Sequence, residues 1–268
     1  MRAKGGAGGA RQNKIYESDG GISMGKITVV GLGPGGSEDM TPRALKAIQQ
    51  AEVIAGYTPY IKLIESLVGE REVIGTGMMQ EVDRCRLAVQ AAVAGKNTIM
   101  VSSGDSGVYG MAGLILELVE QYDVEERPEV EIVAGLSAVN AAAAILGAPL
   151  MHDFAVISLS DRLTPWELIK KRAAYAAQAD FVIALYNPKS KSRVKNIEEI
   201  HNILLQYKSP DTPVGIVKNA SRPEEQKILS NLRDFTREEI DMFSLVIIGN
   251  SKTYIRDGWM ITPRGYKL

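Results

Sequence analysis

Residues Ser102 to Gly113, S-S-G-D-S-G-V-Y-G-M-A-G, decide the fold. They follow Thr98-Ile99-Met100-Val101, a short run of strand formers, and precede Leu114-Ile115-Leu116-Glu117-Leu118-Val119, which can continue as a helix. The stretch therefore reads as a loop at the carboxyl end of a buried strand, where open α/β sheets bind ligands. Four glycines and three serines in twelve residues have no use in a core. Gly104 and Gly107 allow left-handed backbone and let a ligand approach the main chain closely. Asp105 sets a carboxylate among exposed N–H groups. The alternative is a glycine-rich turn in which Asp105 only caps the next helix.

Working outward, the same strand–loop–helix grammar recurs. Lys26–Val30 is a strand ending in G-L-G-P-G-G (31–36), and Thr41–Ala51 a helix with Thr41 as N-cap and Pro42 at its first position. Val53–Ala55 and Val73-Ile74 read as strands. Glu81–Ala94 is a helix with Val82, Cys85, Val89 and Val93 on one face. Val130–Val133 is a strand before Ala134-Gly135-Leu136-Ser137 and an alanine-rich helix, Ala138–Leu146, able to lie close to a sheet or a ligand. In the second half, strands are expected at 154–159, 181–186, 214–217 and 244–248, with helices at 165–177 and 193–206. Alternation throughout implies α/β architecture with largely parallel, doubly wound sheets. Two α/β domains are expected, 25–148 and 149–268, with the active site in the cleft between them. Residues 1–24, rich in Gly, Lys and Arg and without an apolar segment, read as a disordered extension ahead of a start at Met24; a basic tail touching a partner is the alternative.

Composition narrows the classes. The chain has 268 residues, 45% apolar and 24% charged, in the ordinary globular range. Thirty-one basic against 32 acidic residues give a net charge of −1, no global pull toward nucleic acid or membrane. One cysteine, Cys85, rules out disulfides within the chain, and with two histidines a classical zinc site is not expected. No apolar run approaches the roughly 18 residues of a membrane span.

Gly31-x-Gly33-x-x-Gly36 matches the dinucleotide fingerprint by letter. That fingerprint needs a helix opening inside the motif and an acid at the end of the second strand. Here Pro34 interrupts, the helix is expected near Thr41, and the second strand ends Ala55-Gly56-Tyr57. A nicotinamide-dependent oxidoreductase is thus a rival carried by one motif, with the other two glycine loops unexplained.

Taken together, G-L-G-P-G, S-S-G-D-S-G-V-Y-G-M-A-G and A-G-L-S-A-V-N-A-A-A resemble the tetrapyrrole methyltransferases of corrin and sirohaem biosynthesis. L-G-A-P-L-M-H-D-F (146–154), I-S-L-S-D-R-L-T-P-W (157–166), L-Y-N-P-K-S (185–190) and D-G-W-M-I-T-P-R-G-Y (257–266) resemble the C-17-methyltransferase branch, closer to its cobalt-handling, anaerobic members. The resemblance covers about residues 25–268. It departs at Ser106, where many relatives carry Pro; serine should keep the turn and make it less rigid.

The resemblance implies a two-domain fold and S-adenosyl-L-methionine as cofactor. It implies contacts from Pro34, Ser103, Gly104, Asp105, Val108, Ser137, Ala138, Tyr186 and Ala220. It further implies a tetrapyrrole substrate, precorrin-3B or cobalt-factor III, methylated at C-17 with ring contraction in cobalamin biosynthesis. A cytoplasmic homodimer is the expected state. Methyl transfer releases a neutral thioether, so the chemistry asks for alignment of nucleophile and methyl rather than a protein-bound metal. The substrate's acetates and propionates direct attention to the basic run 187–195, with Lys189, Lys191 and Arg193, and to Lys218, Arg222 and Arg264. Candidates for acid/base steps are Tyr57 at the end of the second strand, the His152-Asp153 pair at the domain junction, and Asp161. Rivals are methylation at another corrin carbon and a non-catalytic tetrapyrrole carrier.

Overall fold

A computed structural model of the chain describes residues 24–190 and 193–267. The N-terminal extension expected at 1–24, apart from Met24, and Lys191 of the basic run lie outside the described residues. The first half contains β1 (Lys26–Gly31), α1 (Pro42–Gln50), β2 (Val53–Tyr57), α2 (Thr58–Lys62), α3 (Glu65–Val68), β3 (Glu72–Thr76), α4 (Glu81–Val93), β4 (Thr98–Ser102), α5 (Ala112–Val119), β5 (Glu129–Val133) and α6 (Ala138–Leu146). Thr41 caps α1 as expected: the Ala44 amide donates to its Oγ1 at 3.1 Å, and Pro42 needs no acceptor.

The five strands form one wholly parallel sheet in the order β3-β2-β4-β1-β5. Its central strands are buried on both faces. Ile27, Val29 and Met100 face α4 and α5, while Val30, Ile99 and Val101 face α1, α2 and α3. This explains the continuous apolar runs at Ile27–Val30 and Ile99–Val101. On α4 the buried stripe is Cys85, Ala88, Val89 and Ala92, and Val82 is exposed, so the helix is turned from the face its large side chains suggest. The sheet order places β4, β1 and β5 side by side, so their three glycine loops meet at one edge.

The second half contains β6 (Gly147–Ala148), β7 (Phe154–Ser158), α7 (Trp166–Gln178), β8 (Val182–Tyr186), α8 (Asn196–Leu204), β9 (Pro213–Lys218), β10 (Gln226–Asn231), β11 (Ser244–Ile248), β12 (Tyr254–Arg256) and β13 (Trp259–Ile261). Here the expectation of a largely parallel sheet fails. In the order β10-β9-β11-β8-β7 only β7 and β8 pair parallel; β11 runs against both β8 and β9, and β10 against β9. The connection from β9 to β10 is residues 219–225, too short for a parallel crossover, so the chain turns back as a hairpin. The strands β10, β12 and β13 were not expected. The last two form a hairpin whose second strand pairs with β6, tying residues 147–148 to the end of the chain.

Helix α6 packs on the second sheet. Val139, Ala142 and Leu146 cluster with Val182, Ala184, Val217 and Ile247. A Cβ on Gly215 would stand 2.6 Å from the Leu146 methyls, so glycine in β9 sets how closely α6 approaches. No helix among the described residues is long and apolar enough to cross a membrane.

Candidate functional site

The three loops are fused through their main chains. Leu32 N donates to Ser102 O at 2.8 Å, Gly33 N to Gly104 O at 3.1 Å, and Gly104 N to Gly33 O at 2.7 Å. Gly33 and Gly104 both have positive φ, 76° and 69°, as this contact between loops requires. The third loop comes closer still: a Cβ on Gly135 would lie 2.2 Å from Gly104 O, and one on Gly31 2.6 Å from Gly135 N. Asp105 joins the set, accepting from Gly107 N at 2.8 Å on one carboxylate oxygen and from Gly135 N at 3.0 Å on the other.

This arrangement disposes of the dinucleotide reading. The segment 31–36 is held against the 102–104 loop, and a single 3₁₀ turn (Ser37–Asp39) intervenes before α1 begins at Pro42. The helix that follows the motif therefore does not open inside it. Ser106 is fully buried and its hydroxyl donates to Val133 O at 3.3 Å, so serine adds a tie between the β4 loop and β5.

Above the fused loops lies an open cleft of about 890 Å³, counting its solvent-facing mouth. Its lining draws on both sheets. Pro34, Ser103, Gly104, Asp105 and Val108 come from the loops after β1 and β4, and Ala138 from the start of α6; Tyr186 and Ala220 come from the ends of β8 and β9. These are eight of the nine residues expected at the cofactor. The ninth, Ser137, precedes Ala138 as the N-cap residue of α6, its hydroxyl on Asn140 Oδ1 at 2.8 Å.

Tyr186 does more than fill space. Its hydroxyl accepts from Val139 N at 3.0 Å, satisfying an amide of the first turn of α6. Burial pushes its pKa up, against the pull of the Val139 and Ser137 hydrogen bonds. Tyr109 packs on it at 5.2 Å between ring centres and clasps the edge strand β7, donating to Val156 O at 3.2 Å and accepting from Ser158 N at 3.1 Å. Tyr109 holds φ at 54° to do so.

The other expected groups separate. Tyr57 does not line the cavity; it stacks edge-on at 5.2 Å against Tyr60, which does. Burial raises the Tyr60 pKa, with the charges of Arg222 and Arg84 working the other way. His152 and Asp153 lie in the turn before β7, outside the lining, where Asp153 O accepts from Val182 N at 3.3 Å. Arg264 Nη1 donates to Met151 O beside them at 3.1 Å.

Of the basic run, Lys189 is half-buried. Arg193 binds Ser160 Oγ at 2.6 Å and pairs with Asp161 at 3.7 Å, so both of these candidates serve to fix the turn after β7. Helix α8 accordingly starts at Asn196, three residues later than the basic run suggested. Lys218 is paired with Glu239 at 2.6 Å and Asp241 at 3.0 Å. Residues the sequence did not single out also line the cavity, among them Tyr60, Asn187, Asn219 and Phe243. Asn187 and Asn219 both have positive φ, 49° and 52°, and asparagine directly after an apolar strand was a readable sign of that bend.

Comparison with known proteins accords with this architecture. Residues 26–236 match the family model described as tetrapyrrole (corrin/porphyrin) methylases. A cobalt-factor III methyltransferase of Priestia megaterium is 53% identical over 91% of the chain, which spans 45% of that longer protein. A probable cobalt-factor III C(17)-methyltransferase of Salmonella typhimurium is 50% identical over 90% of the chain and its own full length. The crystal structure of the methyltransferase CobJ superposes with a TM-score of 0.83 at 38% identity, covering 89% of this chain and all of that one. The family match begins at β1, includes all three fused loops and reaches past β10 in the second sheet, and on that ground the chain belongs to the tetrapyrrole methylases.

Proposed function

We propose that the chain methylates C-17 of cobalt-factor III or precorrin-3B from S-adenosyl-L-methionine, with ring contraction, in cobalamin biosynthesis. The observation that carries this is the cavity over the fused glycine loops, in a chain half-identical to a probable cobalt-factor III C(17)-methyltransferase along that protein's whole length.

The cavity suits the cofactor. Gly104 lines it, and beneath that loop Gly31 and Gly135 pack so closely that any Cβ there would strike main-chain atoms under 3 Å away. Val108, Ala138 and Ala220 offer small apolar surface, Tyr186 an aromatic wall, and Ser103 and Asp105 oxygen atoms. Pro34, Gly104 and Ser137 complete the set that would hold it. When bound, the cofactor supplies an electrophilic methyl group on a sulfonium. The chain's part is to fix the two reactants in line and exclude water, which can be worth several kcal/mol of barrier. Because the three loops are cross-bonded before any ligand arrives, little reorganisation is left for binding.

Lys189, Lys191, Arg193 and Lys218 are the proposed contacts for the macrocycle's carboxylates. Lys218 and Arg193 would exchange their present carboxylate partners for those of the substrate. Tyr57, His152 and Asp153 are the proposed acid/base groups for contraction, Tyr57 acting from beside Tyr60. A cytoplasmic homodimer belongs to the same proposal, and light scattering checks the dimer.

Anaerobic incubation with cobalt-factor III and methyl-labelled S-adenosylmethionine is the test. Label at C-17 of a ring-contracted product, located by NMR, is the expected result. Label at another carbon, or none with the cofactor bound, overturns it.

A further inference from the structure

The loop after β9 carries a charge that no carboxylate among the described residues pairs with. Asn219 and Ser221 both have positive φ, 52° and 57°, and bracket Ala220. Non-glycine residues held in that region cost of order 1 kcal/mol or more each, and such strain gathers where a site needs a side chain aimed. The bend is pinned by Arg222 N on Asn219 O at 3.0 Å and Ser221 N on Glu225 Oε2 at 2.7 Å. Its product is Arg222 reaching across from the second sheet to the first. Nε donates to Pro34 O at 2.8 Å and Nη2 to Ser103 Oγ at 3.2 Å. Gly35 makes room: a Cβ there would stand 2.6 Å from the Arg222 Cγ and Nε.

Both partners are neutral. A guanidinium has five N–H donors; two are engaged, three have no partner among the described residues, and Arg222 lines the cavity. No carboxylate among the described residues pairs with it, and burial lowers its pKa with only Tyr60 acting in the opposite sense. The neighbouring cations differ. Lys218, four residues earlier, holds Glu239 and Asp241, and Arg193 holds Asp161. Asp105, the carboxylate of the lining, has an oxygen on each of two backbone amides. Behind Tyr60 a second guanidinium, Arg84, is 3% exposed, bonded to Thr76 Oγ1 and Gly77 O, with Nε lacking any acceptor. Arg222 is thus the cation of the lining, with Arg84 buried nearby, and the nearby carboxylates of Asp105 and Glu225 are engaged by backbone amides.

We propose that Arg222, with Ser103 Oγ and the Tyr60 hydroxyl, forms a carboxylate subsite that a ligand completes with a bidentate ion pair. The inference rests on the methyltransferase reading, in which both ligands carry carboxylates: the amino-acid end of the cofactor and the acetate and propionate arms of the macrocycle. A planar fork matches a carboxylate where a lysine ammonium matches only its charge.

The test measures equilibrium binding of two probes to the full chain and its Arg222→Gln and Arg222→Lys variants. S-adenosylhomocysteine is titrated by calorimetry, uroporphyrin and its octamethyl ester by fluorescence. Loss of a charged hydrogen-bond pair predicts roughly a 10- to 100-fold weakening in Arg222→Gln, partly recovered in Arg222→Lys. Weakening toward S-adenosylhomocysteine assigns the subsite to the cofactor. Weakening toward uroporphyrin but not its ester assigns it to the macrocycle. Unchanged affinity for both probes overturns the proposal. Should Arg222→Gln not fold, Arg222→Lys carries the same comparison, since it keeps the charge and loses the fork. A wild type that binds both probes but transfers no methyl to cobalt-factor III refutes the reaction and leaves the subsite standing.

Discussion

Gly135→Ala tests whether the three loops form one rigid floor. Gly135 does not use the left-handed region, so alanine meets no backbone objection there; the only obstacle is space. Its Cβ would sit 2.2 Å from Gly104 O and 2.7 Å from Gly31 C and O, against 3.4 Å for an ordinary contact. Relief takes a separation of about 1.2 Å between main chains, because no flexible side chain is there to yield. That movement opens the Gly135 N bond to Asp105, now 3.0 Å, and loads the paired Gly33–Gly104 bonds. Overpacking costs about 1–3 kcal/mol, and loss of a hydrogen bond to a charged group about 1.5–3. The chain suffers one or shares both, so about 2–4 kcal/mol is expected. For a domain of this size each kcal/mol moves Tm by roughly 2–4 °C, giving a fall of about 4–16 °C. Calorimetry supplies the Tm, and titration with S-adenosylhomocysteine should show at least a tenfold weaker complex. Gly113→Ala is the control: in α5, with nothing within 4 Å of its Cβ, it should hold or raise stability by about 0.5–1 kcal/mol. A Gly135→Ala protein with wild-type Tm and cofactor affinity would refute the close-packed floor.

Tyr109→Phe keeps the ring contact with Tyr186 and removes both bonds to β7; a loss of about 1–2 kcal/mol and faster hydrogen exchange at the Ser158 amide are expected. Cys85 is fully buried and its thiol is pushed up to about 11 by burial, with Arg84 partly offsetting; it should stay unreactive to a thiol reagent at pH 8 and react once in denaturant. Burial pushes the Asp180 carboxyl up, but hydrogen bonds from Ser251 and the charge of Lys208 outweigh it, and the net shift is downward. Stability from this group is therefore complete above its unfolded value near 4 and lost as pH falls through the lower folded value. Asp180→Asn, which tolerates the φ of 57°, should reduce that acid loss in unfolding measurements from pH 5 to 2.

Much of the first sheet was legible because its central strands, β1 and β4, are buried on both faces and run into glycine-rich loops. Ile27–Val30 and Ile99–Val101 read as buried strands, and the structure makes them central and parallel. The site's glycine loops were readable for the same reason: a residue that cannot carry a Cβ marks a close approach. What escaped lacks such a signal. Strand β10 is a half-exposed edge, Gln226-Lys-Ile-Leu-Ser-Asn231, and Tyr254-Ile-Arg256 is wholly exposed, so neither shows a burial period. The basic run suggested a helix start because its loop conformation is fixed from elsewhere, by Ser160 on Arg193. Arg222 meets Pro34 across 188 residues of sequence, and no local pattern announces that. Tyr60 belongs to a short helix whose role depends on the same distant arginine.

The strand at 244–248 was expected, but its antiparallel direction was not, and that direction completes the cavity. In an all-parallel second sheet, only strand ends and their loops would stand above the glycine floor, and β11 would begin at the opposite edge. Because β11 runs against β8 and β9, its amino end, Ser244 and Leu245, lies beside their carboxyl ends, bringing Met242 and Phe243 to the lining. The same reversal sets Asp241 against Lys218, where the ion pair at 3.0 Å fixes the approach to β11. The hairpin turn forced by the short 219–225 connection carries Ala220 and Arg222 over the floor. A parallel sheet supplies the floor, and a mixed sheet supplies a wall with strand starts and strand ends at one edge; the site needs both kinds of pairing.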